Sequence, residues 1–143
     1  MKKLALLLAL APVVAFAQPS AADTNKAKIA AVKAQRVSNE LKSLQKMVDN
    51  LPNLPDGEPA SFYCDGDSDI WHGGVQDSMP GDEKRRQYRV LKNGNVEYSL
   101  RGGDVTVFKM KLENNRWVVD DISVKKFNKH SHKQVLKECP TSY

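Results

Sequence analysis

The segment from Asp65 to Asp69 carries carboxylates at alternate positions, with Asp67 at its centre. Oxygen ligands at this spacing could hold calcium. The regular calcium loop also requires a glycine at its sixth position and a glutamate at its twelfth. Counted from Asp65, those positions hold Ile70 and Gln76. The regular motif is therefore absent, which leaves an irregular calcium site or a solvated acidic turn.

A tryptophan and a histidine follow this acidic run and precede two glycines. Trp71 and His72 could contact a ligand from such a glycine-flexible loop. Alternatively, Trp71 could pack over the open end of a sheet. We take Trp71, His72, Asp67 and Asp69 as the candidate binding residues.

Two further pairs of titratable residues favour roles other than chemistry: a solvated tail over a weak metal site for the histidines, and a structural role for the aspartates. His130 and His132 are two positions apart and would not share a helix face. Zinc usually takes three or more protein ligands, and His72 would be a distant third. Asp120 and Asp121 are adjacent, so in a strand they point to opposite faces. This favours a bulge or an ion pair with nearby lysines over an acid–base pair.

The remaining sequence offers no nucleophile elbow and no glycine-rich phosphate loop. It therefore predicts no catalytic residue, no metal and no cofactor, and it leaves open whether the protein is an enzyme.

The N-terminal residues 1–17 have the pattern of a secretory signal peptide. Two lysines precede an apolar run from Leu4 to Val14, and small residues lead to a cleavage site near Ala17. The apolar run is too short for a stable membrane span, and no cysteine near the cleavage site could carry a lipid. We expect a periplasmic or secreted protein that begins at Gln18 and has no membrane anchor.

Export gives the two cysteines, Cys64 and Cys139, a simple interpretation. In an oxidising compartment they should form one structural disulfide. The chain lacks a Cys-x-x-Cys pair, so a redox role is not indicated.

The chain has a formal net charge of +5, part of which leaves with the signal peptide. The remaining basic residues are interspersed with acidic ones. This distribution argues against a nucleic-acid partner.

The mature chain divides into a leader, a helix, a loop, a sheet and a tail. Residues 18–23 should be a disordered leader, and Asp23 or Thr24 should cap a single helix over residues 24–51, which Pro52 ends. Its apolar positions recur every three or four residues, with one step of five: Ile29, Val32, Val37, Leu41, Leu44, Val48 and Leu51. Residues 52–84 should form a long loop with one short strand from Ser61 to Cys64. The tail, residues 128–143, should contain a short helix near 131–137.

Three turn signals predict four antiparallel strands between the loop and the tail. Asn93-Gly94, Gly102-Gly103 and Asn114-Asn115 separate strands at about 85–92, 95–101, 105–113 and 116–127. The fold class is therefore α+β, with one long amphipathic helix on a curved four-stranded meander in a single domain.

The apolar pattern also predicts the register of the sheet. A three-residue turn at 102–104 would pair Tyr98 with Phe108, and thus Val96 with Met110. A two-residue turn at Asn114-Asn115 would pair Leu112 with Trp117. A bulge near Asp120-Asp121 would then return the following apolar residues, Ile122 and Val124, to the core face.

The segment from Asn115 to Ile122, with its turn, tryptophan, apolar pair and Asp-Ile ending, resembles the last hairpin of small exported domains of the nuclear-transport-factor-2-like superfamily. The resemblance covers mainly residues 85–127. It implies a helix-covered curved sheet, and in some members a cone-shaped apolar pocket. That superfamily generally has two or three helices before the sheet. No catalytic residue of the superfamily matches a position in this chain.

Together these features predict an exported, non-catalytic binding protein that acts on a protein partner, as an immunity or inhibitor protein or as an accessory protein. The expected binding surface is the 61–84 loop and the open face of the sheet. The alternative is a small-ligand carrier or small enzyme with an apolar cone-shaped pocket. The protein should be a monomer or a small homo-oligomer.

Overall fold

The computed structural model describes residues 18–64, 70–72, 81, 84–100, 105–125 and 130–139. In chain order, three helices, α1 (Ala21–Lys33), α2 (Asn39–Asp49) and α3 (Ala60–Cys64), precede a 3₁₀ turn (Ile70–His72). Four strands follow, β1 (Arg86–Val90), β2 (Val96–Leu100), β3 (Val105–Glu113) and β4 (Arg116–Val124), and then a last helix, α4 (His132–Glu138). The fold is α+β, as the sequence predicts.

The expectation of one long N-terminal helix is wrong, because the chain leaves the helical path between α1 and α2. Gln35 adopts a left-handed conformation with φ 51°. Its N–H donates to the Val32 carbonyl, and the Arg36 N–H donates to the Ala31 carbonyl. This pattern is a Schellman ending. The Ser38 hydroxyl then accepts from the Leu41 N–H at 3.1 Å and starts α2.

The first helix also begins earlier than expected. Ser20 is its N-cap and accepts from the Asp23 N–H at 3.1 Å, so the helix includes part of the segment that the sequence assigned to a leader. The predicted strand from Ser61 to Cys64 is wrong as well, since this segment is α3. α3 packs on α2, and tertiary packing overrides the strand preference of its residues.

The sheet is an antiparallel meander in the order β1-β2-β3-β4. The β3–β4 hairpin has the predicted register, with Leu112 opposite Trp117, and its turn residues Asn114 and Asn115 both have positive φ. The predicted bulge is also confirmed, because Met110 pairs with Val119 while Lys109 pairs with Asp121. The extra residue is Asp120.

The register between β2 and β3 differs from the prediction by two residues. Tyr98 pairs with Thr106, and Val96 pairs with Phe108. Side chains alternate with a period of two, so a shift of two leaves the same face buried. The apolar pattern therefore predicted the correct face but could not distinguish the two registers.

The apolar residues form two clusters. The first lies between α1 and the sheet and is built from Val32, Val96, Tyr98, Phe108, Val119 and Ile122. The second joins α2, α3 and α4 and contains Leu41, Val48, Leu136 and both cysteines.

Cys64 and Cys139 form the predicted disulfide, with Cα atoms 5.3 Å apart. Within the described ranges, no helix combines the length and the apolar character that crossing a membrane requires.

Candidate functional site

Trp71 is half-buried and belongs to the first apolar cluster. Its ring stacks on Phe108, with ring centroids 5.5 Å apart and planes 21° apart. This is the packing alternative that the sequence left open for Trp71. Asp67 and Asp69 lie outside the described residues, and so does the side chain of His72.

The two histidines near the C-terminus have separate environments. His130 is exposed, whereas His132 is the first residue of α4 and is 6% exposed. The Ser131 hydroxyl caps this helix by accepting from the Gln134 N–H. Among the residues that the structure describes, no three His, Cys, Asp or Glu side chains are grouped as a metal site requires.

The adjacent aspartates of β4 connect the sheet to α4. Asp121 Oδ1 accepts from the Lys133 N–H at 2.9 Å in the first turn of that helix. Asp120 Oδ1 lies 3.1 Å from Lys133 Nζ, which also donates to Glu40 of α2 at 3.0 Å. The two carboxylates thus contact different groups of one residue, since Asp121 accepts from the backbone N–H of Lys133 and Asp120 pairs with its ammonium.

The charges of this cluster stabilise one another. Burial raises the pKa of Asp120, but the Ser38 hydroxyl and the Lys133 ammonium outweigh it and hold that pKa below its ordinary value. Burial lowers the pKa of Lys133, but Glu40 and Asp120 outweigh it and raise the pKa above the ordinary value. Lys133 and Lys137 lower the pKa of Glu40. These groups are therefore charged at neutral pH, which suits a structural ion network better than proton transfer.

The outer face of the sheet, opposite α1, carries a second ion cluster. Glu97 accepts from Arg89 at 2.7 Å and from Lys125 at 2.9 Å. The hydrogen bond from Lys125 outweighs burial and, with Arg89, lowers the pKa of Glu97. Lys109 and Lys111 of β3 lie on this same face at alternate positions, and both are exposed.

A groove of about 480 Å³ lies where the α1–α2 junction meets the β3–β4 hairpin. Three parts of the chain line it: Gln35, Arg36, Val37, Asn39 and Lys42 at the helix junction, Glu113 and Asn114 at the hairpin, and Arg116 and Val118 on β4. The left-handed residues Gln35 and Asn114 turn the chain at its borders. The groove is therefore shaped by two tight turns that come together only in the folded protein.

The groove has a positive charge that its own carboxylate only partly balances. Among the described residues, Arg36, Lys42 and Arg116 form no ion pair. Glu113 is engaged elsewhere, because its Oε1 accepts from the Asn39 N–H at 3.0 Å and its Oε2 lies 3.8 Å from Lys111 Nζ. Three cations, one each from the segment between α1 and α2, from α2 and from β4, are thus available to an anionic partner.

The sequence did not predict this groove. Arg36, Lys42 and Arg116 form no linear motif, and each looks like an ordinary solvated charge. The step of five between Val32 and Val37, followed by the capping residue Ser38, was the signal that could have located the helix junction. No sequence signal places that junction beside the β3–β4 turn.

Comparison of the chain with protein-family models, curated proteins and solved structures finds no significant match.

Proposed function

We propose that this protein is an exported, non-catalytic binding protein that engages an acidic surface of a protein partner through the basic groove. The carrying observation is a set of three cations around one concave surface, Arg36, Lys42 and Arg116, none of which forms an ion pair with another described residue. Complementary charge speeds encounter and fixes register between proteins, and arginine is enriched at their interfaces. An immunity, inhibitor or accessory protein would use such a surface to cover an acidic site.

Lys109 and Lys111 extend the same charge along the sheet. Lys111 is opposite Val118, which lines the groove, and Lys109 lies two residues further along the same face. A partner that covered both surfaces would meet basic side chains over a larger area than the groove alone.

The alternative function, a carrier or small enzyme with an apolar cone, requires space against the apolar face of the sheet. Val32 of α1 and the ring of Trp71 pack into that face beside Phe108. This packing favours the partner-binding function. The resemblance to the nuclear-transport-factor-2-like superfamily remains a proposal, and the helices before the sheet support it.

Export is part of the proposal. Cleavage after Ala17 would leave Ser20, the N-cap of α1, in the mature chain. The intact mass of protein recovered from the periplasm or the medium tests this, and a chain that still begins at Met1 would contradict it.

A matched pair of charge reversals tests the groove. Lys42→Glu reverses an exposed charge that lines the groove, and Lys92→Glu makes the same change at an exposed residue of the β1–β2 turn. We expect the mature protein to bind an oligoglutamate peptide more weakly as salt rises. Lys42→Glu should weaken binding by about tenfold, and Lys92→Glu should change it little.

Calorimetry or fluorescence anisotropy gives the affinities. Equal losses in the two variants would mean that net charge, and not the groove, attracts the peptide. No binding by the wild-type protein at low salt would contradict the proposed function.

A further inference from the structure

In the part of the chain that the structure describes, the outer edge of β4 is open next to the groove. The two-residue turn at Asn114-Asn115 makes Glu113 and Arg116 a hydrogen-bonded pair. Hydrogen-bonded and non-hydrogen-bonded pairs alternate along an antiparallel ladder. The backbones of the next two opposite residues, Leu112 and Trp117, are therefore not hydrogen-bonded to each other. The backbone N–H and C=O of Trp117 therefore point away from β3, towards the free edge of the sheet.

Val119 confirms this alternation two residues further along. Its N–H donates to the Arg36 carbonyl at 2.7 Å, and its carbonyl accepts from the Ser38 N–H at 2.8 Å. The segment 36–38 thus runs parallel to β4 and covers its edge at this point. A backbone strand partner is therefore compatible with this edge.

The cover ends before Trp117. The left-handed Gln35 turns the chain away into α1, so the short parallel segment does not continue along β4. Within the described residues, the outward N–H and C=O of Trp117 have no hydrogen-bond partner. Arg116 and Val118, on either side of Trp117, line the groove, so this stretch of backbone borders it. Unpaired edge groups of this kind are a template for an added strand.

The side chains around this edge differ between the two faces. On the outer face lie Arg116 and the cations of the groove. The other face carries the ring of Trp117 and the side chain of Leu112, which is 53% exposed. Lys28 Nζ lies over the Trp117 ring, 4.3 Å from its centroid. A strand added at this edge would direct alternate side chains to a basic face and to an apolar face.

We propose that the partner binds as an extended segment with alternating acidic and apolar residues, which adds to the edge of β4 at Trp117. The residue opposite Trp117 is apolar and lies against the indole and Leu112. Its two neighbours carry carboxylates that face Arg116 and the other cations of the groove. Main-chain hydrogen bonds supply affinity and the alternation supplies specificity, as in other cases of strand addition. The inference rests on the proposed function of the groove and specifies how its partner is recognised.

Four synthetic peptides of about six residues, a usual strand length, test the mode of binding. The first alternates glutamate and valine. The second and third have the same sequence with N-methyl groups on alternate backbone nitrogens, one peptide for each of the two possible phases. Their charge is kept, while each has one hydrogen-bonding edge blocked. The fourth has the same composition with the glutamates and valines in separate blocks.

Calorimetry should show that the alternating peptide binds at least about tenfold more tightly than the block peptide. It should exceed one of the two N-methylated peptides by the same factor. Hydrogen exchange of the Trp117 N–H should slow when the alternating peptide binds. The Arg116 N–H, already bonded to β3, is the internal control.

The outcomes separate this inference from the proposed function. Equal binding of all peptides, with weakening by Lys42→Glu, would keep the groove as an acidic-partner site and overturn strand addition. No binding of any peptide would overturn both. Protection of the Trp117 N–H that rises with protein concentration in the absence of peptide would assign the edge to a second copy of the chain and overturn the inference.

Discussion

Among single residues, Asp120 is the one whose loss should destabilise the largest part of the ion network. Its carboxylate and the Lys133 ammonium are each only 13% exposed, and the pair joins the sheet bulge to α4. A partly buried charge that loses its partner keeps the cost of leaving water without the compensating attraction. The network is therefore expected to depend on every member being charged.

Replacement of Asp120 should change how stability depends on pH. The folded-state pKa of Asp120 is depressed, so its contribution is present above the unfolded pKa, near 3.8, and is lost as the pH falls through the folded value. Asp120→Asn should cost about 1–3 kcal/mol at pH 7 and should lose less stability than the wild type on acidification below about pH 4. Urea unfolding from pH 7 to pH 3 measures both effects.

Asp49→Asn is the matched control, because the same substitution is made at an exposed position of α2 away from Lys133. Parallel stability curves for the wild type and Asp120→Asn would contradict the proposed contribution of the Asp120 carboxylate.

Thr106 has the opposite character, because its hydroxyl costs stability. The residue is fully buried, and within the part of the chain that the structure describes its Oγ1 has no hydrogen-bond partner. Thr106→Val keeps the shape and removes the unsatisfied hydroxyl, and should raise the free energy of unfolding by about 1 kcal/mol. Thr106→Ser keeps the hydroxyl, removes a methyl group and should lower it by about 1 kcal/mol. Equilibrium unfolding of the two variants provides the measurement, and a loss of stability in Thr106→Val would reveal a hydrogen bond to the hydroxyl.

At the scale of elements, the break between α1 and α2 organises this side of the molecule. It ends α1 at the sheet, lets the 36–38 segment pair with β4, and starts α2 at Ser38. The break uses glutamine at the left-handed position, where glycine is the usual residue because it has no Cβ. The free-energy cost of this left-handed conformation is therefore higher than it would be with glycine.

Gln35→Gly should relieve this cost. We expect the free energy of unfolding to rise by up to about 1 kcal/mol, because the left-handed strain outweighs the extra freedom of glycine in the unfolded chain. Gln35→Val should be less stable than the wild type, since a β-branched residue tolerates positive φ poorly. Thermal or urea unfolding of both variants decides the matter. A destabilised Gln35→Gly would show that the glutamine side chain stabilises the junction.

At the scale of the whole molecule, the structure has two apolar clusters that are joined at the edge of β4. The first is formed by α1 and the sheet, and the second by three helices and a disulfide. The joint consists of the bulge aspartates, Lys133 and the paired segment 36–38. The disulfide closes the helical cluster across a sequence separation of 75.

The disulfide should contribute strongly to overall stability. Cys64→Ala combined with Cys139→Ala should lower the free energy of unfolding by about 2–5 kcal/mol, because the unfolded chain regains the freedom that the crosslink removes. Hydrogen exchange should speed up most in α4. A reductant should bring the wild type to the stability of the double variant and leave the double variant unchanged. Equal stability of the oxidised and reduced wild type would contradict this role.

The parts of the fold that depend on local pattern could be predicted from the sequence. The Asn114-Asn115 turn, the pairing of Leu112 with Trp117, the extra residue near Asp120-Asp121 and the C-terminal helix all follow from turn chemistry and from side-chain alternation over a few residues. The pairing of Cys64 with Cys139 follows from their being the only two cysteines in the sequence.

The features that depend on distant parts of the chain could not be predicted, because they arise from tertiary packing. The left-handed position holds glutamine and not glycine, so the step of five before Ser38 was the main local sign of the helix break. A register shift of two leaves the same side chains buried. The basic groove arises because the helix junction pairs with Val119 and so meets the hairpin that carries Arg116. The four strands of the sheet, their buried face and the crosslink were therefore predictable, because they follow from short-range alternation and from composition. The groove and its open strand edge were decided by long-range packing, which no local pattern of residues encodes.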